Sequence, residues 1–166
     1  MTIGRVIGLA RRAVSRAPME EVPSCLITPE IGVLGDCKGQ RFPLRQVTIL
    51  SREDWEAALA DVAASTTSGA IDLPWTARRA NVFVEGVKLP RGEGSVISLG
   101  GALLEVTEET YPCAQMELAL RGLREALSPD WRGGVTCKVL SGGSVAIGDR
   151  ISVIRHKVNR RAYLPG

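Results

Sequence analysis

The chain has 166 residues, the size of one ordinary domain with a hydrophobic interior of its own. Hydrophobic residues make up 45% of it and charged residues 23%, a composition that excludes disordered and fibrous proteins. A formal net charge of +3 with only 4% aromatic residues does not predict nucleic-acid binding, which needs a clustered basic face and usually stacking aromatics.

The cysteines argue against a zinc site. Cys25, Cys37, Cys113 and Cys137 form no CxxC pair, and His156 is the only histidine. The first residues lack the pattern of a signal peptide, and no apolar run is long enough to cross a bilayer. We therefore expect a cytoplasmic protein without a membrane or nucleic-acid partner, whose cysteines are free thiols.

The first third of the chain predicts strands, a loop and a helix. Val6 to Leu9 indicate an opening strand, and Gly32 to Arg41 a loop whose three glycines surround Asp36, with Cys37 expected to be accessible. Gln46 to Leu50 form a strand that ends at Ser51, the predicted N-cap of a helix. The apolar face of that helix consists of Trp55, Ala58, Leu59 and Val62.

Two later stretches carry candidate anion-binding groups. Arg78 and Arg79 precede an apolar strand that contains Asn81, and a loop-to-strand junction can hold these donors against phosphate or carboxylate. The usual alternative for paired arginines is a solvated surface. Arg132, followed by Gly133 and a second glycine, places a cation beside bare backbone amides and indicates a weaker anion nest.

Cys113 lies at a predicted strand-to-helix corner. Leu103 to Val106 alternate as a strand, Pro112 ends the extended run, and apolar residues at helical spacing follow. Unpaired N–H groups at a helix start favour a thiolate, so Cys113 is a candidate reactive thiol. A small buried residue that fills the turn is the alternative. The predicted helical face consists of Met116, Leu120, Leu123 and Leu127.

Short strands separated by glycine turns dominate the chain, and two helices interrupt them. Gly100-Gly101 predicts a tight hairpin, and Val135 to Leu140 a strand that buries Cys137. This pattern predicts a mostly β barrel with helices packed outside. We expect one domain over residues 1–154 and a solvated basic tail over residues 155–166.

The order of several motifs resembles that of the MOSC domain, named for the C-terminal domain of molybdenum cofactor sulfurases, in its small stand-alone bacterial form. The resemblance runs from Gly32 to Ile154. Its motifs are Gly32–Asp36, Arg45–Leu50, Arg79–Leu89, Pro112-Cys113, Gly133-Gly134, Gly142-Gly143 and Ile147-Gly148-Asp149.

The resemblance implies a MOSC-type β-barrel and a cysteine that either ligates the molybdenum of a pterin cofactor or carries sulfur as a persulfide. The matching residue is Cys113, the family's basic residue and asparagine match Arg79 and Asn81, and its glycine-aspartate loop matches Gly35 and Asp36. The phosphate of molybdopterin makes Arg78, Arg79 and Arg132 the expected cationic contacts. The chain has no room for the pyridoxal phosphate domain of the sulfurases, so that cofactor is not expected.

Three hypotheses follow. The first is a molybdenum enzyme that reduces N-oxygenated compounds at a Cys113-bound metal with electrons from a redox partner. The second is a non-enzymatic carrier of the cofactor or of a Cys113 persulfide, supplied by a cysteine desulfurase and delivering to a recipient molybdoenzyme. The third is a thiol redox module that uses Cys37 and Cys113.

Overall fold

The computed structural model describes residues 2–66 and 69–158. Residues 159–166, most of the predicted basic tail, lie outside the described residues. The strands are β1 (Ile3–Arg11), β2 (Glu20–Glu21), β3 (Ser24–Thr28), β4 (Gly32–Val33), β5 (Val47–Ser51), β6 (Val82–Glu85), β7 (Val96–Leu99), β8 (Ala102–Glu109), β9 (Val135–Ser141), β10 (Gly143–Ala146) and β11 (Arg150–Arg155). The helices are α1 (Arg52–Ala64), α2 (Ala114–Ala119) and α3 (Leu123–Leu127), with 3-10 helices at Trp75–Arg78 and Pro129–Trp131.

Seven strands close into a barrel in the order β11-β7-β8-β9-β5-β6-β1, because β1 also pairs with β11. Strand β2 adds to β1, and β10, β3 and β4 form a separate three-stranded sheet. The pairings are antiparallel except that of β5 with β6. Closure removes the exposed edges that an open sheet would leave. The prediction of a mostly β barrel is therefore confirmed.

Side-chain alternation explains why the barrel closes around an apolar interior. Along β8, Ala102, Leu104 and Val106 are buried while the residues between them are partly exposed. The hairpin predicted at Gly100-Gly101 joins β7 to β8, and Gly100 has a φ of +52°, a value that glycine adopts easily. A second apolar cluster lies between the barrel wall and the helices and includes Leu50, Trp55, Phe83, Met116, Leu123 and Leu127.

The parallel pair explains how the helices come to cover one side of the barrel. Parallel neighbours need a crossover connection, and α1 together with the 3-10 helix Trp75–Arg78 provides it between β5 and β6. Ser51 caps α1, since its Oγ accepts from the backbone N–H of Asp54 at 3.1 Å. The ring of Trp75 stacks on Phe83 with centroids 5.0 Å apart. This connection delivers Arg78 and Arg79 to one end of the barrel.

The single helix predicted after Cys113 is wrong. The structure has two short helices, α2 and α3, because Leu120 is extended and Gly122 adopts a φ of +90°. The carboxylate of Glu117 accepts from the Gly122 backbone N–H and holds this break. Met116 and Leu123 are nevertheless both buried, so the apolar spacing identified the packed face. In residues 2–66 and 69–158, no helix has the length and apolar character needed to span a membrane.

A substitution of Leu104 tests whether the barrel interior is the hydrophobic core that stabilises the fold. Its side chain is fully buried, whereas Leu140 on the adjacent strand is 41% exposed. We expect Leu104→Ala to lower the free energy of unfolding by about 2–5 kcal/mol through lost burial and a cavity. The matched variant Leu140→Ala should change it by less than about 0.5 kcal/mol. Equal losses in urea unfolding would contradict the assignment of the interior.

Candidate functional site

Cys113 is the N-cap residue of α2, between the end of β8 and the helix, as the sequence predicts. Its side chain is exposed, in contrast to those of Cys25 and Cys137. Its carbonyl oxygen accepts from the Met116 backbone N–H at 2.9 Å and starts the helix. The alternative of a buried residue that only fills the turn is therefore wrong.

A cleft of about 240 Å³, here called the Cys113 cleft, opens beside this thiol. Five of its lining side chains are cationic and none is acidic. The cationic residues are Arg12, Lys38, Arg45, Arg78 and Arg79, and the others are Thr48, Ala80, Thr110, Tyr111, Cys113, Gln115, Met116 and Gly133. A cleft with this charge favours an anionic ligand.

Arg78 is the buried member of the cationic set, with 7% of its surface exposed. Its Nη2 donates to the Thr110 carbonyl at 2.8 Å, and its Nε donates to the Gly133 carbonyl at 3.2 Å. Burial lowers the pKa of Arg78 to about 10, the neighbouring Cys113 opposes this shift, and Arg45 adds to it. The guanidinium therefore stays charged at neutral pH beside the cysteine.

Gly133 lies in the wall of the Cys113 cleft that Arg78 stabilises by hydrogen bonds. A Cβ at this position would lie 2.2 Å from the Thr110 carbonyl oxygen, so only glycine lets the two backbone segments approach. Gly133 lines the cleft, and its carbonyl accepts from Arg78. The predicted binding of an anion by its amide stays a prediction. Gly133 positions the wall of the cleft.

Asp36 lies behind the cleft and organises two of its cations. Its Oδ1 accepts from the Arg12 backbone N–H at 3.0 Å and its Oδ2 from the Lys38 backbone N–H at 3.2 Å. Burial lowers the pKa of Lys38, the Asp36 carboxylate opposes that shift, and the charges of Arg45, Arg12 and Arg78 add to it. The carboxylate thus fixes the loop that presents Arg12 and Lys38, and it does not line the cleft itself.

Arg79 and Asn81 have different positions. Arg79 lines the cleft with a φ of +65°, and its Nη2 lies 3.5 Å from the Gln115 Oε1. Asn81 is buried below the cleft, where its Oδ1 accepts from the backbone N–H and the hydroxyl of Thr48, both at 3.1 Å. Its Nδ2 donates to the Ala10 carbonyl at 3.2 Å. Asn81 therefore joins β1, β5 and β6 beneath the site.

Arg132 is not brought to the Cys113 cleft. Its Nη1 donates to the Asp61 carboxylate at 2.6 Å and to the Ala126 carbonyl at 3.1 Å, so it joins α1 to α3. An ion pair that is already formed on the helical side of the molecule leaves no guanidinium for a ligand beside Cys113. Cys37, expected to be accessible, is half-buried and also absent from the lining of this cleft.

Sequence reasoning missed Arg12, Lys38 and Arg45 as site residues. Lys38 lies two residues after the glycine-aspartate pair Gly35-Asp36, and Arg45 lies two residues before β5, the strand that supplies Thr48 to the cleft. Both residues could therefore have been identified as site candidates from the sequence. The contribution of Arg12 was not, because it depends on a contact with Asp36 across 24 positions.

In the described ranges, no group of three or more histidine, cysteine, aspartate or glutamate side chains is placed to hold a metal ion. Cys113 is the one cysteine, histidine or carboxylate side chain among the residues that line this cleft. Thiolate is a ligand for soft metals.

A comparison with protein-family models matches the MOSC domain over residues 38–152, more than half of the chain. The chain belongs to the MOSC domain family. This family is associated with molybdenum cofactor binding. The match includes the Lys38 end of the loop, the segment of Arg78 and Arg79, and Cys113. A comparison with curated proteins finds no significant match.

Solved structures share the fold. The YuaD protein of Bacillus subtilis is 21% identical with a TM-score of 0.72, over 95% of this chain and 100% of that one. YiiM from Escherichia coli is 15% identical with a TM-score of 0.65, over 93% of this chain and 72% of that one. YiiM from Geobacillus stearothermophilus is 12% identical with a TM-score of 0.65, over 92% and 75%. At these identities the comparisons establish the MOSC fold.

Thiol reactivity tests the position of Cys113. We expect iodoacetamide to alkylate Cys113 first in the native protein, because it is exposed, while burial raises the pKa of Cys25 and Cys137 and keeps them unreactive until unfolding. Peptide mass spectrometry reads the order. Cys113→Ser should remove the fastest phase and Cys137→Ser should leave it. A fast phase that survives in Cys113→Ser would contradict the assignment.

Lys38 tests the charge of the cleft. Because its pKa is lower in the folded state, the charged amine opposes folding at neutral pH. This cost begins to fall as pH rises through the folded pKa and is gone above the ordinary lysine pKa. Lys38→Met should therefore raise the melting temperature at pH 7, with a gain that shrinks in alkaline buffer. The exposed Lys88 gives the matched control Lys88→Met, which should have little effect. A melting temperature lowered by Lys38→Met would contradict the argument.

Proposed function

We propose that the protein binds the molybdenum cofactor in the Cys113 cleft, with the Cys113 thiolate as molybdenum ligand, and reduces N-oxygenated compounds with electrons from a partner protein. The observation that supports this most is an exposed thiol in a cleft lined by five cations and no carboxylate. Family membership supports the choice of cofactor.

The residues present fit such a group on chemical grounds. Molybdopterin needs a soft donor for its metal and cations for its phosphate, and the cleft offers one thiol and several guanidinium groups. Arg78 already donates Nε and Nη2 to backbone carbonyls, so its part is to fix the wall and supply charge. Arg12 and Arg79 are the candidates for direct contact with the phosphate, because Arg45 already pairs through its Nε with the Glu108 carboxylate at 3.2 Å.

The reduction converts N–OH to N–H and water, and it consumes two electrons and two protons. Molybdenum bound there would supply a position for the substrate oxygen and a route for the electrons. One proton would come from the chain and the other from solvent water. Lys38 is the cation in the cleft that can release a proton, from its Nζ, since arginine stays protonated and burial lowers the pKa of Lys38. The electrons come from a reduced redox protein.

The exposure of Cys113 also supports a second candidate, a persulfide carrier. In that function the Cys113 thiolate attacks the outer sulfur of a desulfurase persulfide. The new S–S bond on Cys113 replaces the one that breaks, and the desulfurase leaves as its thiolate. No net oxidation occurs, because the sulfur is already at the sulfane level.

Metal and pterin analysis of protein purified from a molybdenum-competent host tests the proposal. We expect molybdenum and pterin in matching amounts in the wild-type protein, and loss of most of the molybdenum in Cys113→Ala. Cys37→Ala is the matched control, because Cys37 does not line the cleft, and it should keep both.

A wild-type protein without molybdenum and pterin would overturn the cofactor proposal. The carrier function would then predict a mass increase of one sulfur on Cys113 after incubation with a cysteine desulfurase and cysteine. The same increase in Cys113→Ala would exclude this residue as the carrier.

A further inference from the structure

A second cleft, here called the outer cleft, adjoins the Cys113 cleft. It has a volume of about 530 Å³, and Arg79 and Gln115 line both clefts. The remaining lining residues of the outer cleft are Arg16, Ala17, Pro18, Met19, Pro74, Thr76, Ala77, Leu118 and Ala119. The loop before β2, the 3-10 helix before β6 and α2 thus enclose a space that continues from the thiol.

We propose that the outer cleft binds the body of the substrate, and that this substrate is a small organic acid whose apolar part contacts the cleft and whose carboxylate pairs with Arg16. The inference rests on the proposed function, because the reacting N-oxygenated end of the same molecule would extend past Arg79 into the Cys113 cleft. It adds a substrate class to that function.

The charges of the outer cleft support an anion. Arg16 and Arg79 are its only charged lining residues, and no carboxylate lines it. Within residues 2–66 and 69–158, Arg16 forms no salt bridge, although four other arginines do, namely Arg45, Arg52, Arg91 and Arg132. An exposed guanidinium beside a concave surface is available for a carboxylate.

The rest of the lining supports an apolar body. Seven of the eleven lining residues are apolar, the larger ones being Pro18, Met19, Pro74 and Leu118, and Leu118 is 79% exposed on α2. A large apolar side chain left in water at the edge of a cleft gains from a ligand that covers it. Apolar walls with a few convergent polar groups are typical of small-molecule sites.

The two arginines of the outer cleft also share an unusual backbone conformation. Arg16 has a φ of +68° and Arg79 a φ of +65°, so both of its cations occupy the left-handed region, which is uncommon for non-glycine residues. Such residues concentrate at functional sites, where the surrounding structure holds them. Here the unusual backbone directs two separate loops to the same cleft.

The boundary between the two clefts is weak. It consists of the contact from Arg79 Nη2 to Gln115 Oε1, at 3.5 Å and exposed to solvent. That distance is at the limit for a hydrogen bond, so a ligand can replace it at little cost. A molecule that lies in the outer cleft can therefore reach the side of Cys113.

Fluorine NMR on the cofactor-free protein tests the inference with trifluoromethylbenzoate as probe and trifluoromethylbenzamide as its uncharged control. We expect the benzoate to bind more tightly than the benzamide. Arg16→Gln should weaken benzoate binding about five- to tenfold, and Leu118→Asp by a similar factor through repulsion. Leu118 is exposed, so its substitution does not disturb the core.

Two matched controls separate specific from general effects. Arg124 is exposed on α3 and does not line the outer cleft, so Arg124→Gln should leave binding unchanged. Leu118→Asn removes the apolar side chain without adding charge, so it should weaken binding less than Leu118→Asp.

Three results would overturn the inference: no benzoate binding, equal binding of benzoate and benzamide, or benzoate binding that ignores Arg16→Gln and Leu118→Asp. Binding that is lost only in Arg45→Gln belongs to the third result and would place the anion in the Cys113 cleft. The probe needs no cofactor, so failure here beside intact molybdenum loading leaves the proposed function standing.

Discussion

The guanidinium of Arg78 is a buried cation at the point where the barrel wall, the segment before Cys113 and the turn at Gly133 meet. Its two hydrogen bonds tie the Thr110 carbonyl to the Gly133 carbonyl, and so fix the backbone three residues before the thiol. The barrel makes this arrangement available, because the crossover between β5 and β6 ends in the 3-10 helix that carries Arg78. Without this guanidinium, two carbonyls would lose their donors and the cleft would lose its innermost charge.

The Cys113 cleft also brings several positive charges close together, and their repulsion lowers the stability of the fold. Lys38 and several arginines share one cleft, and their repulsion is offset in part by Asp36 behind Lys38 and by the ion pair of Glu108 with Arg45. Natural proteins retain such unfavourable groupings where function needs them. An anion bound beside Cys113 would relieve the repulsion, so ligand binding and stability should be linked in this protein. The charge thus supports an anionic cofactor on energetic grounds as well as by geometry.

Local patterns in the sequence predicted the barrel and the position of Cys113. Contacts between distant segments determine which arginines line the cleft, and local patterns did not predict these. Strand alternation and the Gly100-Gly101 turn sufficed for the barrel, and a proline before a helical pattern sufficed to locate Cys113. Arg132 was predicted at the site because it precedes two glycines, yet it pairs with Asp61, 71 positions away. Arg12 was missed because a contact between distant residues brings it to the cleft. Residue spacing does not encode such pairings.

The proposed function depends on ligation of molybdenum by the Cys113 thiolate within a cationic cleft. X-ray absorption at the molybdenum K-edge of the cofactor-loaded protein measures this directly, because it counts the sulfur atoms around the metal. We expect one sulfur ligand more in the wild-type protein than in Cys113→Ser, and a Cys37→Ala spectrum equal to that of the wild type. Identical sulfur coordination in the wild type and Cys113→Ser would contradict it.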